Sequence, residues 1–312
     1  IDAKCRRFVE YESVEEAQEA VRSLKEEDHP LLILGGGSNL LLTEDYKGTI
    51  LHSGISFIED VGGGRVRCGS GYVWDDFVAY CVSHGLYGAE NLSIIPGECG
   101  ASAVQNIGAY GAEAKDLIEE VEAVEIATGR VRHFKNTDCG YSYRQSRFKH
   151  EWRNKYLITS VTYRLSSTYR PRLDYGNIRT ALAERGIAHP TADELRQTII
   201  AIRNAKLPDP KVTGNAGSFF MNPIVSKEKY DELAAQYERM PHYTIDSTHE
   251  KIPAGWMIEK SLGRAGVYDK QALVLVNLGG AAGADVVRLF EAIQHDVKEK
   301  FGIEIHPEVN VV

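Results

Sequence analysis

The chain has 312 residues, of which 43% are hydrophobic and 26% are charged, and its formal net charge is −8. At about 100–150 residues per domain, this length predicts two or three domains, with enough chain to bury a core without disulfide or metal support. The acidic balance argues against a surface for nucleic acid or for an anionic membrane, because both need a local excess of Lys and Arg. It leaves room for a small basic pocket that binds a phosphorylated small molecule.

The five cysteines are an odd number and are unevenly spaced, and no Cys-x-x-Cys pair occurs. The ten histidines show no metal-ligand spacing such as His-Glu-x-x-His, so we expect no metal site. The longest apolar stretches fall far short of the roughly 20 residues that a membrane-spanning helix needs. The N-terminus has no apolar signal sequence. These features predict a soluble cytoplasmic protein with reduced cysteines.

The N-terminal half alternates predicted helices and strands. A capping box at Ser13 and Glu16 starts the first helix, because a Ser followed three residues later by a Glu satisfies free N–H groups at a helix start. A short apolar run before three glycines is typical of a buried strand that enters a tight turn, and Gly85 marks a helix end. The predicted elements are a helix at 14–27, strands at 31–34 and 49–52, and a helix at 74–84.

Short β segments dominate after about residue 121, and helices return after residue 190. A second capping box, at Thr191 and Glu194, starts a helix that must end before Pro208, since proline disfavours helix in the residue before it. The proline pair at 208 and 210 is the best candidate for a domain boundary. The further elements are strands at 121–127, 131–134 and 156–165 and helices at 227–238 and 285–301, which predict α+β domains.

Three consecutive glycines, Gly35–Gly37, follow the first predicted buried strand. Glycines let backbone N–H groups approach a ligand closely, which suits a pyrophosphate. No Gly-Lys-Ser/Thr follows, so the segment is not a P-loop, and Leu40 stands where a dinucleotide-binding fingerprint has its third glycine. On this pattern alone, a phosphate-binding loop and a plain tight turn both stay open.

A second glycine-rich segment runs from Ile95-Pro96-Gly97 to Gly111. Its small residues permit close approach of the backbone to a ligand, while Ser102, Gln105 and Asn106 offer side-chain hydrogen bonds. Two backbone-rich loops fit a large dinucleotide with a pyrophosphate and a flat ring. Two purely structural loops fit the same residues.

The third segment joins Lys206-Leu207-Pro208-Asp209-Pro210-Lys211 to a glycine-rich turn and two phenylalanines. Ser218 stands between this turn and the phenylalanines, where its hydroxyl either faces an apolar pocket or caps a turn. The segment does not match the Gly-x-Ser-x-Gly pattern of a nucleophilic serine.

Arg144 and Glu308 are two further candidates for chemistry. An isolated Arg or Glu is usually a solvated surface group. A buried Glu near the C-terminus would instead carry a proton, and Arg144 would stabilise an anion. The residues alone leave both interpretations open.

Together, these segments resemble the UDP-N-acetylenolpyruvoylglucosamine reductase family, the flavin enzymes of bacterial peptidoglycan precursor synthesis. Each motif alone is weak, but the five occur in the family's order and cover most of the chain, so the combination is specific. The matching segments are 34–40, 95–97, 105–111, 206–211 and 214–223. Tyr175, in Leu173-Asp174-Tyr175-Gly176-Asn177, matches a loop tyrosine that closes over the substrate in one subclass.

The resemblance implies an α+β fold, in which a two-lobed FAD-binding module of the vanillyl-alcohol oxidase type is joined to a separate α+β substrate-binding domain. It assigns residues 1–70 to the first lobe and residues 71–206, together with 303–312, to the second. Residues 207–302 are expected to form the substrate-binding domain.

The same resemblance implies a two-step reaction with bound FAD as cofactor and NADPH as co-substrate. NADPH reduces the flavin, and UDP-N-acetylglucosamine-enolpyruvate then takes hydride at its vinyl carbon and becomes UDP-N-acetylmuramate. Hydride addition leaves negative charge beside the substrate carboxylate, and this charge needs stabilisation and a proton. By motif match, Ser218 is the proton donor, and Arg144 and Glu308 polarise the carboxylate.

The remaining site residues also follow from the motif match. The FAD-binding residues are Leu34, Gly35, Gly36, Gly37, Ser38, Asn39, Ser102, Gln105, Asn106, Ile107, Gly108 and Ala109. The substrate-binding residues are Tyr175, Arg203, Lys206 and Asn222. The basic pair among them suits a diphosphate.

Two alternatives compete with this function. One is another FAD-dependent oxidoreductase on the same scaffold, against which the setting of Ser218 argues, since alcohol oxidation needs a base rather than this donor. The other is a non-catalytic UDP-sugar-binding protein, against which the presence of Ser218, Arg144 and Glu308 argues.

Overall fold

The computed structural model describes residues 3–261 and 267–312. Its contacts divide the chain into two compact units. The N-terminal unit holds residues 4–38 and 46–205, and the C-terminal unit holds Ala3, residues 39–45 and the described part of 206–312. Within these ranges, no helix combines the length and the apolar character needed to cross a membrane.

The N-terminal unit begins with a three-stranded parallel sheet in the order Cys5–Tyr11, Tyr46–Ser53 and Leu31–Leu34. Helix Val14–Ser23 follows the first strand, and the Ser13 hydroxyl accepts a hydrogen bond from the Glu16 N–H, as the capping box predicts. The helix ends before residue 27, because Leu24 already has extended dihedral angles.

The same unit contains a five-stranded antiparallel sheet, in which the three predicted β segments are neighbours and the segment at 131–134 forms an edge strand. Helices and short 3-10 turns connect and cover the sheets. The strand order is Val131–Lys135, Ile118–Glu125, Tyr156–Arg164, Arg65–Gly69 and Ile58–Gly62. The helices are Trp74–Ser83, Cys99–Gln105, Ile178–Glu184 and Ala192–Lys206.

In the part that the structure describes, the C-terminal unit is built from short strands and three helices. One sheet has the order Gly214–Ser218, Gln271–Asn277 and Val267–Tyr268, another has Ile224–Ser226, His249–Lys251 and Tyr243–Thr244, and a parallel pair joins Leu40–Leu41 to Asn310–Val311. The helices are Lys227–Ala234, Ala254–Ser261 and Gly283–Phe301.

Each unit has its own hydrophobic core. In the N-terminal unit, Trp74, Phe77 and Tyr163 are fully buried beside the five-stranded sheet. A further cluster packs Tyr11 and Leu51 of the parallel sheet with buried residues of the antiparallel sheet, including Val124 and Leu157, so the two sheets share a core. In the C-terminal unit, the core forms around two phenylalanines that follow strand Gly214–Ser218 and the inner face of helix Gly283–Phe301.

The contacts group some residues differently from the predicted domain limits. Strand Arg65–Gly69, expected in the first lobe, pairs with Tyr156–Arg164 of the antiparallel sheet. Residues 303–312, expected with the second lobe, lie in the C-terminal unit, because Asn310–Val311 pairs with Leu40–Leu41. Local sequence patterns cannot predict which segments pair when those segments are far apart in the chain. The division of the N-terminal unit into two lobes stays a prediction.

Candidate active site

The two glycine-rich segments of the N-terminal unit lie against each other. A Cβ atom on Gly35 would lie 3.3 Å from the Cβ of Ala101, and Gly37, at φ +69°, faces open space. The Ser38 hydroxyl donates a hydrogen bond to the carbonyl oxygen of Pro96 at 3.2 Å. The loop after strand Leu31–Leu34 therefore has bare backbone on an open side and a tightly packed side behind it, which suits a phosphate group.

Two of the predicted FAD-binding residues use their side chains inside the protein. The fully buried Ser102 hydroxyl donates to a carbonyl oxygen of its own helix and lies 2.8 Å from the Tyr163 hydroxyl. The fully buried Asn106 amide donates to the Ser142 carbonyl at 2.7 Å and accepts the Lys115 N–H at 2.9 Å. Neither side chain faces open space, so a ligand would meet this segment through its backbone.

The chain passes from Gln105, at the end of helix Cys99–Gln105, into a short β-hairpin whose strands have two residues each. Gln105 is buried at the helix end, and the strands Gly108–Ala109 and Ala112–Glu113 flank a turn at Tyr110 and Gly111. Both turn residues have positive φ, which matches the twist of a tight hairpin. The Ile107 carbonyl accepts the N–H of Ala114, which fixes the base of the hairpin.

Arg144 is held at the tip of a neighbouring turn in the same unit. It has a positive φ of 57°, and the flanking Ser142 and Gln145 exchange backbone hydrogen bonds of 3.1 Å. Its guanidinium donates to the carbonyl oxygen of Gly108 and lies over the Tyr143 ring, 5.0 Å from the centroid. A side chain at position 108 would collide with this guanidinium, because a Cβ there would lie 2.6 Å from Arg144 Nη1.

Arg203 adds a second partly buried guanidinium group to the unit. It lies on helix Ala192–Lys206, and its Nε is buried with no hydrogen-bond partner among residues 3–261 and 267–312. Burial lowers the pKa of Arg203, the nearby Tyr110 hydroxyl and Asp75 oppose this effect, and the charge of Arg144 adds to it. Two such guanidinium groups suit a carboxylate or a diphosphate.

Tyr175 packs against the hairpin turn. A Cβ on Gly111 would lie 3.4 Å from the Cβ of Tyr175. The buried Asn91 amide donates to the carbonyl oxygens of Tyr110 and Arg172, at 2.8 and 3.0 Å. The predicted substrate loop is thus tied to the predicted flavin segment by Asn91, which the sequence motifs did not single out.

The C-terminal unit brings together three predicted residues that are far apart in the chain. Ser218 ends strand Gly214–Ser218, and the carbonyl of the next residue, Phe219, accepts the Glu308 N–H at 2.7 Å. The Asn39 amide donates to the Glu308 carbonyl at 3.2 Å. The backbone around the predicted proton donor therefore lies beside that of the predicted acid.

The other two predicted substrate residues have different settings. Lys206 is exposed at the end of helix Ala192–Lys206. The Asn222 side-chain oxygen accepts the Ala254 N–H at 2.9 Å and so anchors the start of helix Ala254–Ser261.

Comparison with known proteins identifies the family. A model described as UDP-N-acetylenolpyruvoylglucosamine reductase, C-terminal domain, matches residues 209–312, and a model described as FAD binding domain matches residues 5–135. The UDP-N-acetylenolpyruvoylglucosamine reductase of Bacteroides fragilis is 54% identical over 100% of this chain and 96% of its own length. That of Porphyromonas gingivalis is 48% identical over 89% of this chain and 85% of its own length. The chain belongs to the UDP-N-acetylenolpyruvoylglucosamine reductase family.

A solved structure confirms the fold of the reductase family in this chain. The crystal structure of the reductase from Thermus caldophilus covers 97% of this chain and 91% of its own, with a TM-score of 0.66 at 23% identity. This similarity confirms the predicted α+β fold class, and the FAD-binding domain model confirms the predicted flavin cofactor. The residues present fit that cofactor, since the Gly35–Gly37 loop offers the bare backbone that a diphosphate needs.

The reductase motifs did not point to one acidic residue beside this loop. The Glu98 carboxyl lies against Gly35 and Gly36, and His52 lies between Glu98 and Glu10. A Glu directly after Pro96-Gly97 is visible in the sequence, but its pairing with a histidine from a distant strand is not.

One set of side chains has the residue types of a metal site. His295, Asp296 and Glu299 lie together on helix Gly283–Phe301, where His295 and Glu299 are exposed. Exposed groups of this kind are common without a metal, and this one is not joined to the predicted site by any contact that we observe in the described part of the chain.

Proposed function

We propose that this chain catalyses the NADPH-dependent reduction of UDP-N-acetylglucosamine-enolpyruvate to UDP-N-acetylmuramate through FAD, in bacterial peptidoglycan synthesis. The observation that carries the proposal is 54% identity, over the whole chain, to a protein named for this reductase activity. We place the reaction in the cytoplasm, where NADPH and nucleotide-linked sugars are available. The substrates in this proposal are these two small molecules.

The N-terminal unit supplies the cofactor site in this proposal. The Gly35–Gly37 loop holds the diphosphate through backbone N–H groups, and the Gly108–Ala109 hairpin offers backbone to the flat ring. When bound, FAD supplies the hydride transfer, and the protein supplies orientation and charge stabilisation. Arg144 and Arg203 supply positive charge for the anionic groups of the substrate.

The C-terminal unit supplies the proton in this proposal. Ser218 donates it to the carbon next to the new C–H bond, and Glu308, on the paired segment, helps to polarise the substrate carboxylate. Hydrogen bonds to the backbone of Phe219 and from Asn39 hold the Glu308 segment in place. Lys206, Asn222 and Tyr175 complete the proposed substrate contacts.

An anaerobic flavin spectrum tests the function. The purified protein is reduced with NADPH, which bleaches the oxidised flavin band, and UDP-N-acetylglucosamine-enolpyruvate is then added. We expect the oxidised spectrum to return at once, because the substrate accepts the stored hydride. Bleaching without recovery would keep a flavoprotein but remove this substrate, and no flavin binding even with added FAD would refute the cofactor site itself.

A further inference from the structure

A carboxyl group that the proposed reaction does not use faces the glycine loop. Glu98 Oε2 lies 3.3 Å from the position of a Cβ on Gly35, and Oε1 lies 3.4 Å from that of a Cβ on Gly36. The Glu98 side chain is only 14% exposed, and its burial raises the pKa of the carboxyl above the usual range. An ionised carboxylate here would place negative charge beside a loop that suits a diphosphate.

His52 connects Glu98 to a second acid. His52 Nδ1 lies 2.8 Å from Glu10 Oε2, and Nε2 lies 3.5 Å from Glu98 Oε1. The ring also stacks on Phe8, with centroids 5.8 Å apart, so its orientation is constrained from a third side. A neutral imidazole has one N–H and one lone pair. With the N–H donated to Glu10, the lone pair on Nε2 faces Glu98.

One proton between His52 Nε2 and Glu98 Oε1 makes the pair neutral. Either a protonated Glu98 donates to a neutral imidazole, or a charged imidazole donates to an ionised Glu98. Loss of the proton leaves a carboxylate facing a lone pair and adds one negative charge beside the loop. The other titratable groups that face Glu98 are Glu10, whose charge favours retention of the proton, and Tyr11, which burial keeps neutral.

We propose that the Glu98–His52 pair is part of the diphosphate-binding site of this chain, and that FAD binds tightly only while the pair holds its proton. The inference rests on the proposed function, which places the FAD diphosphate at Gly35–Gly37. Both phosphate groups of the FAD diphosphate stay ionised at neutral pH, so an unpaired Glu98 carboxylate beside the Gly35–Gly37 loop would repel them. We expect this added negative charge to weaken FAD binding by about 10- to 100-fold.

The test is release of FAD from the purified holoprotein as a function of pH. The holoprotein is diluted in a series of buffers that runs from mildly acidic to mildly alkaline pH, and released FAD is measured by its fluorescence. For the wild type, we expect the dissociation constant to rise by about 10- to 100-fold across this range. Glu98→Gln is neutral at every pH, so it should keep tight binding throughout.

Two further variants make the outcome specific. Glu98→Asp keeps an acid but withdraws it from the loop by one methylene, so it should show a weaker pH dependence than the wild type. Glu12→Gln removes an exposed carboxyl of the same region that contacts neither His52 nor Glu98 in any interaction that we observe, and it should behave like the wild type. Thermal unfolding of each variant shows whether it is folded. If Glu98→Gln is not folded, the pH dependence of FAD binding in Glu98→Asp tests the proposal.

An unchanged pH dependence in folded Glu98→Gln, or a wild type whose FAD affinity does not depend on pH, overturns the proposal while the proposed function stands. A wild-type protein that binds no FAD at any pH overturns the proposed function instead, and the role of Glu98 with it.

Discussion

The variant Ser218→Ala tests the proposed proton transfer, because it removes only the side-chain oxygen atom. We expect Ser218→Ala to keep bound FAD and its reduction by NADPH, since neither step needs the hydroxyl. Flavin reoxidation by UDP-N-acetylglucosamine-enolpyruvate should slow by about 10²-fold or more, the effect of a lost general acid. Stopped-flow absorbance measures the two half-reactions separately.

Ser226→Ala is a matched control in the same unit. The Ser226 hydroxyl accepts the Lys229 N–H at 3.2 Å and caps helix Lys227–Ala234, so its loss should lower stability without changing the rate per bound flavin. Equal reoxidation rates in Ser218→Ala and the wild type would exclude Ser218 as the donor.

Asn106 is a predicted FAD-binding residue whose side chain bonds to other parts of the protein. Its residue type predicts a hydrogen bond to a ligand, yet its amide joins the end of helix Cys99–Gln105 to the Ser142 carbonyl, beside the Arg144 turn. The partner lies on a distant segment, so the local pattern could not reveal it. We infer that Asn106 positions Arg144.

Asn106→Asp tests this positioning role. The carboxylate cannot donate to the Ser142 carbonyl, so the turn loses an anchor while the shape of the side chain is kept. We expect NADPH to reduce the bound flavin at nearly the wild-type rate, while reoxidation by the enolpyruvyl substrate slows by about 10-fold, a cost of about 1.4 kcal/mol in the transition state.

Asn136→Asp is the control for this variant. Asn136 also donates to backbone carbonyls, those of Lys115 and Ile118, but it has no contact with the Arg144 turn that we observe. It should lower stability without separating the two half-reactions. If both variants slow both half-reactions equally, Asn106 has only a structural role.

At the scale of elements, local signals predicted the ends of several helices. Helix Trp74–Ser83 stops before Gly85, and helix Gly283–Phe301 is closed by Gly302; both glycines have positive φ. Helix Cys99–Gln105 was not predicted, because its small residues give no apolar stripe, although Cys99 and Ala103 are buried in the core of the unit.

The capping box at Thr191 gives a prediction for helix Ala192–Lys206. The Thr191 hydroxyl accepts the Glu194 N–H at 3.2 Å, and the Glu194 carboxylate accepts the Thr191 N–H at 2.8 Å. Thr191→Ala removes the first bond and should lower the free energy of unfolding by about 1 kcal/mol. Urea unfolding followed by circular dichroism measures the change.

Thr180→Ala is the control for Thr191→Ala. It makes the same change of residue type at a position that does not cap a helix. Thr180 is exposed within helix Ile178–Glu184, where Ala has the better helix propensity, so this variant should be neutral or slightly stabilising. A loss of stability equal to that of Thr191→Ala would mean that the capping bond contributes nothing.

At the scale of the whole molecule, the sequence predicted the fold class but not how the chain is shared between the units. The resemblance relied on motifs in chain order, whereas the C-terminal unit takes residues 39–45 from early in the chain. Leu41 lies in its core, and the start of helix Gly283–Phe301 packs on the backbone beside Thr43. No local property of residues 39–45 distinguishes them from the strands around them.

Leu41→Ala measures how much this early segment stabilises the C-terminal unit. Leu41 is 5% exposed, and truncation of a buried leucine costs about 2–5 kcal/mol. Leu278, in the same unit, is 88% exposed, so Leu278→Ala should change stability by less than about 0.5 kcal/mol. Denaturant unfolding of both variants gives the comparison, and equal effects would show that the segment does not support the core.

Because the C-terminal unit contains segments from both ends of the chain, the two units are completed at different times during translation. The N-terminal unit has all its residues once position 205 has been translated, while the ribosome is still adding the rest. Residues 39–45 are made early, but their strand partner, Asn310–Val311, is among the last residues to appear. The C-terminal unit, with its proposed proton donor, is therefore completed last, and so is the setting of Asn39, a predicted FAD-binding residue that belongs to this unit.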